Sequence, residues 1–115
     1  MSDSNLHLIR GTLDLLVLKA LAWGPRHGYA ISQWIKGVTK GTLLVEEGSL
    51  YPALQRIERK GWIRSRWDVS DTGRQARFYE LTRTGEERLA REVRMWQMYS
   101  TAIERAVSAP GWEIE

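Results

Sequence analysis

Apolar positions along the chain keep a helical rhythm three times, switch to alternation, and then return to a long helical seam. Leu13, Leu16, Val17, Ala20 and Leu21 recur at helical spacing until Gly24-Pro25 stops the run, which predicts a first helix. Ile31, Trp34, Ile35 and Val38 fall at i, i+3, i+4 and i+7, so a second helix is expected from about Tyr29 to the Gly37–Gly41 region. Residues 42–45 read as a brief extended segment. A third helix is expected over residues 49–60, with Ser49 as N-cap, Pro52 in the first turn and Gly61 as a left-handed stop. Its buried stripe is Leu50, Ala53, Leu54 and Ile57. The opposite side shows Ser49, Tyr51, Gln55, Arg56 and Arg59.

From Trp62 the period drops to two. Ile63, Ser65, Trp67 and Val69 alternate with Trp62, Arg64, Arg66 and Asp68, a Ser70-Asp71-Thr72-Gly73 turn cluster follows, and residues 75–81 are rich in strand formers. Two such runs around a glycine-containing turn predict a β-hairpin. The last element is a helix from Thr82 or Thr84 to Ala109, with Thr84 and Glu87 fitting a capping box and Pro110-Gly111 closing it. Leu89, Trp96 and Ile103 repeat every seven residues, widened by Val93, Tyr99, Ala106 and Val107. Such a helix is roughly 40 Å long, more than one small domain covers, so part of its apolar face needs a partner. Trp34 and Trp62 are expected in the core, and His27 at a turn or helix start.

The chain has 115 residues, of which 43% are hydrophobic, which is enough for a core of its own and argues against wholesale disorder. It has no cysteine, which removes disulfides, zinc–thiolate sites and thiol nucleophiles. The apolar run from Leu15 to Leu18 is broken by Lys19, and no segment is long enough to span a bilayer. The first ten residues show no basic stretch followed by an apolar one, so no secretory leader is expected. The expected setting is cytoplasmic, with no membrane contact. Two histidines, no Walker-type loop and no His-Glu-x-x-His spacing leave no catalytic constellation, no metal site and no cofactor. Glu46-Glu47 would point to opposite faces of an extended segment. The chain is not expected to be an enzyme.

Charge is concentrated in the middle. Arg56, Arg59, Lys60, Arg64, Arg66, Arg74 and Arg77 stand against Glu58, Asp68, Asp71 and Glu80 between residues 48 and 80, while the flanks nearly cancel. Such a segment suits a polyanion, or is a solvated face that happens to be rich in arginine. Three helices followed by a hairpin is the order of a winged helix-turn-helix. The expected fold is mostly α with a β-hairpin (α+β). Residues 1–81 would form a winged helix-turn-helix DNA-binding domain, 82–109 a C-terminal dimerisation helix and 110–115 a flexible tail.

Several stretches carry a resemblance. They are Arg10-Gly11-Thr12-Leu13, Gly24-Pro25-Arg26-His27-Gly28-Tyr29 and Glu47-Gly48-Ser49-Leu50-Tyr51-Pro52-Ala53-Leu54, then Glu58-Arg59-Lys60-Gly61-Trp62-Ile63 and Arg77-Phe78-Tyr79-Glu80-Leu81-Thr82-Arg83-Thr84-Gly85. The chain resembles the PadR family of bacterial transcriptional regulators, in its compact branch with a single C-terminal helix. The resemblance implies a homodimeric repressor that binds an inverted-repeat operator in double-stranded DNA and is often released by a small molecule.

It also implies that Ser49, Tyr51 and Pro52 open the recognition helix and that Arg77 reaches phosphate. Gln75 and Ala76 stand where many members place basic residues. Trp96 matches a tryptophan that lines an aromatic cavity between subunits in multidrug-responsive members. Read from the residues alone, Gln55 either bonds adenine edges or is solvated, Arg56 and Arg59 are surface charges or readers, and Arg74 and Arg77 protrude toward phosphate. Leu89, Val93, Trp96, Tyr99 and Ile103 form a dimer seam, in which Trp96 either packs the interface or faces a small aromatic effector beside Met95, Met98 and Tyr99. The rival reading is a winged-helix module that binds proteins and no specific DNA, because one fold hosts many functions.

Overall fold

A computed structural model describes residues 11–114 of the chain; the reading of the first ten residues as free of a leader lies outside them, as does Glu115. The elements in order are α1 (Thr12–Ala20), β1 (Arg26–His27), α2 (Gly28–Val38), α3 (Glu47–Arg59), β2 (Ile63–Val69), β3 (Gln75–Leu81) and α4 (Arg83–Val107). The architecture is α+β, with four helices and one antiparallel sheet of three strands in the order β1-β3-β2.

The apolar stripes meet in one core. Val17, Leu18 and Leu21 from α1 and its exit, Ile31 and Ile35 from α2, Leu50, Leu54 and Ile57 from α3, and Ile63 and Tyr79 from the sheet are all buried. Leu54 and Ile57 are completely enclosed, so truncating either to alanine is expected to cost about 3 kcal/mol. The stripe of α2 is shorter than its spacing predicts. Val38, its last residue, is exposed, and Trp34 is only partly buried, tilted against Trp23 with ring centroids 5.8 Å apart. Trp62 is likewise half-buried, with Lys60 Nζ 4.7 Å and the Arg88 guanidinium carbon 4.6 Å from its ring centroid. In the expected extended segment, Leu43 and Val45 pack on the core while Leu44 between them is exposed.

Of three helix starts, those of α2 and α4 fall within a residue of the sequence reading and that of α3 does not. α2 begins at Gly28, and His27 caps it by accepting from the Ala30 backbone N–H through Nδ1 at 3.1 Å. α3 begins at Glu47 rather than after Ser49. The Glu46 carbonyl accepts from the N–H groups of Ser49 and Leu50, at 3.0 and 2.9 Å, so Ser49 already lies inside the helix. Pro52 therefore sits within α3 and not in its first turn, and it has no N–H to give the carbonyl of Gly48. α4 is capped by Thr82, not by a Thr84 capping box. The Thr82 hydroxyl accepts from the Gly85 N–H at 3.0 Å and donates to the Gly61 carbonyl at 2.6 Å.

That second bond ties the start of α4 to the end of α3, where Gly61 adopts φ +81 as its stop position predicts. The Thr82 N–H also donates to the Trp62 carbonyl at 3.0 Å. Gly85, one turn on, is buried against the same Trp62 carbonyl. The joint between wing and long helix is thus made of backbone against backbone.

The hairpin pairs Ile63 with Leu81, Ser65 with Tyr79, Trp67 with Arg77 and Val69 with Gln75 on one face. Arg64 with Glu80, Arg66 with Phe78 and Asp68 with Ala76 occupy the other. Gly73 at φ +79 makes the turn, closed by the Ser70 N–H donating to the Arg74 carbonyl at 2.8 Å. β1, absent from the sequence reading, pairs Arg26 with Tyr79 and His27 with Phe78. Two residues are too few to show alternation, so only the register with β3 reveals them.

Candidate nucleic-acid interface

α3 turns its inner stripe to the core and leaves Ser49, Tyr51, Pro52, Gln55, Arg56 and Arg59 at the surface. No large aliphatic side chain interrupts that face. Tyr51 is 41% exposed, and its ring lies across the first residue of α2: a β-carbon added to Gly28 would stand 2.9 Å from the phenol oxygen. Glycine at position 28 makes room for the ring. Gln55 makes no side-chain hydrogen bond among the described residues. Arg56 differs from its neighbours, because its guanidinium is ion-paired and hydrogen-bonded to Asp14 of α1. It braces α3 against α1.

The wing has two unlike faces. On one, Glu80 accepts from Arg64 Nε at 3.0 Å and from Arg66 at 3.3 Å, and Arg66 lies 3.9 Å from Asp68. The Arg64 hydrogen bond holds the Glu80 carboxyl below its ordinary value against the opposing effect of burial, helped by the charges of Arg64 and Arg66. These arginines are locally neutralised. On the other face Arg77 Nε donates to Ser65 Oγ at 2.9 Å, and Ser65 in turn donates to Glu58 of α3 at 2.7 Å. That chain of bonds fastens Arg77 to α3. Burial raises the Tyr79 hydroxyl, with Arg77 pulling the other way. Arg74 stands at the hairpin turn with no ion pair among the described residues.

The middle segment's basic surplus is therefore redistributed by folding. Within this segment Arg56, Arg64 and Arg66 are held by carboxylates, while Arg59, Arg74 and Arg77 have no carboxylate partner among the described residues. Two side chains went unnoticed in the sequence. Asp14 as the anchor of Arg56 leaves no sequence signal, since the partners are 42 residues apart. Trp67 stood in the alternating run, but only the register shows that its side lies beyond the core.

On α4, Leu89 packs against the chain's own core and Val93 is half-buried. Trp96, Tyr99 and Ile103 are exposed, the first two with ring centroids 6.2 Å apart. Met95, Trp96 and Tyr99, with Glu92 below them, face Gly11, Thr12 and Leu15 across a groove of about 300 Å³. Trp112, in the tail, is 97% exposed. Among the described residues, no group of three or more His, Cys, Asp and Glu could hold a metal ion, and no helix is long and apolar enough to cross a membrane.

Known proteins share this arrangement. A protein of Lysinibacillus sphaericus, itself uncharacterized, is 37% identical over 90 residues, covering 77% of this chain and 82% of that one. A 37.1 kDa protein in a transposon of Streptomyces fradiae is 44% identical over 95 residues, but the match covers only 26% of that relative against 82% of this chain. Among solved structures, a PadR-like transcriptional regulator from Bacillus cereus superposes with a TM-score of 0.75 at 26% identity, over 87% of this chain and 95% of the other. A PadR family transcription regulator from Clostridium difficile does so at 0.74 and 25%, over 85% and 100%. The family model for the transcriptional regulator PadR-like family matches residues 17–91. With three helices followed by an arginine-bearing wing, the chain belongs to the PadR-like family of transcriptional regulators, a family of regulators and not of enzymes.

Proposed function

We propose that this regulator is a homodimeric repressor that binds an inverted-repeat operator in double-stranded DNA and responds to a small aromatic effector. The observation that carries the reading is the outer face of α3. Ser49, Tyr51, Pro52 and Gln55 are exposed together, polar at the groove-facing atoms, beside a wing whose Arg77 is fastened to the same helix. A major groove about 12 Å wide accepts such a helix. In this reading Tyr51 and Ser49 contact phosphate, Gln55 meets base edges, and Arg74 and Arg77 reach flanking phosphates. Two copies joined along α4 set the recognition helices about 34–36 Å apart. The exposed half of α4, with Trp96, Tyr99 and Ile103, supports that pairing. The groove at Trp96 and Tyr99 supports a planar aromatic effector. Acting on DNA, the protein would work in the cytoplasm.

The test is fluorescence anisotropy with the duplex upstream of the protein's own gene and a shuffled control, at two salt concentrations. Tighter binding to the native duplex with two chains per site is the expected result. Equal, weak and steeply salt-dependent binding to both would leave non-specific electrostatics alone. Changing Arg74 and Arg77 together to alanine is expected to weaken binding to every sequence and to flatten the salt dependence.

A second reading, a protein-binding module without specific DNA recognition, is favoured by one observation: Glu80 and Asp68 pair with both arginines on one face of the wing. A Tyr51→Ala variant that keeps full DNA affinity would support it. The effector is tested by quenching of Trp96 fluorescence with planar aromatics and a matching loss of DNA affinity by linkage. Quenching that persists in Trp96→Phe would argue against the groove.

A further inference from the structure

Beyond the end of the core, the hairpin leaves two large apolar side chains uncovered, Trp67 and Val69. Ile63–Leu81 and Ser65–Tyr79 sit over α3, held there by the Ser65–Glu58 hydrogen bond. The same face continues outward as Trp67–Arg77 and Val69–Gln75, where nothing of the chain covers it among the described residues: Trp67 is 62% exposed and Val69 57%. The reverse face at this level carries Arg66 with Phe78 and Asp68 with Ala76, the two apolar residues partly buried. The large apolar side chains left exposed at this level, Trp67 and Val69, thus lie on the side of the wing that packs over α3.

We infer that Trp67, supported by Val69, is an apolar wedge that the wing sets against a base step in the groove beside the one α3 occupies, with Arg77 on the adjoining phosphate. The inference rests on the DNA-binding reading above. Its geometry comes from the pair itself. The Arg77 guanidinium carbon lies 5.8 Å from the Trp67 ring centroid, and Arg77 Nε is engaged by Ser65, which leaves its terminal nitrogens for an anion. A cation fixed beside a flat apolar ring matches the layout of a strand edge, where a charged phosphate adjoins the faces of stacked bases. Proteins that enter a minor groove combine the same two elements, a basic side chain and an apolar wedge that parts a base step. For cross-strand packing alone, a smaller side chain opposite Arg77 would suffice, since the indole buries little against its own chain.

The experiment uses the full chain and the upstream duplex, with 2-aminopurine replacing each adenine in turn. The wild type is expected to raise 2-aminopurine fluorescence at one step in each half-site. Trp67→Ala is expected to lose that signal and to bind roughly tenfold more weakly, as removal of one aromatic–base stack does. Its salt dependence should not change, because no phosphate contact is removed, whereas Arg77→Ala should lower the salt slope by about one. Trp67→Phe should retain most of the signal. If Trp67→Ala binds as tightly as the wild type, or keeps the 2-aminopurine signal, the inference is overturned. It is also overturned if Trp67→Ala and Trp67→Phe lose affinity equally and both unfold at lower temperature, which would mark a packing role. A wild type that prefers neither duplex removes the DNA-binding reading itself, a result distinct from all of these.

Discussion

A β-carbon on residue 85 would overlap the carbonyl oxygen of Trp62 and stand 2.8 Å from its carbonyl carbon, so α4 leaves the wing at a distance that only Gly85 allows. The neighbour is backbone, already engaged by the Thr82 N–H, and cannot swing aside as a side chain would.

Gly85→Ala is therefore expected to destabilise the fold by about 3 kcal/mol, at the upper end for an inserted methyl group. The urea midpoint reads this directly. Thr82→Ala, which removes only the cap and the bond to Gly61, is expected to cost about 1 kcal/mol. Equal midpoints for the two variants would show that the crossing can relax.

Gly28→Ala is the contrasting case. The new methyl meets the ring of Tyr51, with the phenol oxygen 2.9 Å and Cε1 3.0 Å away, and a half-exposed ring can move. Alanine also favours the helix more than glycine does, by about 1 kcal/mol. Thermal stability is expected to change little while affinity for the upstream duplex drops. In a double-mutant cycle, Tyr51→Ala should make the loss at position 28 disappear. A full additive loss would show that Tyr51 is not what the methyl displaces.

Glu80→Gln is expected to release Arg64 and Arg66. Non-specific DNA affinity should rise, with the salt slope steeper by up to about two. The carboxyl is held below its ordinary 4.5, so its stabilising effect is present above that value and is lost as pH falls through the lowered one. Acid unfolding below pH 4.5 should accordingly be shallower in the glutamine variant. The effect is small, since the pairs are solvent-exposed. An unchanged salt slope would mean that the reverse face of the wing never nears phosphate.

Ile103→Glu tests the exposed half of α4. Ile103 is 46% exposed, and burying a charge at a two-fold seam is costly while leaving it in solvent is not. Sedimentation is expected to show monomers at micromolar concentration, with the winged-helix core unfolding as before. A dimer that survives the change would place the seam elsewhere.

The sequence and the fold agree most closely where one face is buried throughout. In α3, Leu50, Ala53, Leu54 and Ile57 are the four buried residues that the spacing predicted, and Gly61 stops the chain in the left-handed conformation. Disagreement begins where local rules compete. Ser49 is a good cap in isolation, yet the helix starts at Glu47 because the Glu46 carbonyl already accepts from residues 49 and 50. Thr82 and Thr84 were both plausible caps, and the bond from Thr82 to Gly61 selects the first. Charge was the least legible. The arginine count makes the middle basic, but which of those arginines stay free of a carboxylate depends on Asp14 and Glu80, whose positions only the tertiary fold sets.

One short helix adjoins most of what a regulator has to relate. Thr12 and Leu15 of α1 border the groove shared with Trp96 and Tyr99, while Asp14, between them in sequence, holds Arg56 of the recognition helix. Val17 and Leu18, a turn further on, are enclosed in the core. A single turn of α1 therefore touches two neighbours at once, the groove beside α4 on one side and, through the carboxylate that grips Arg56, α3 on the other.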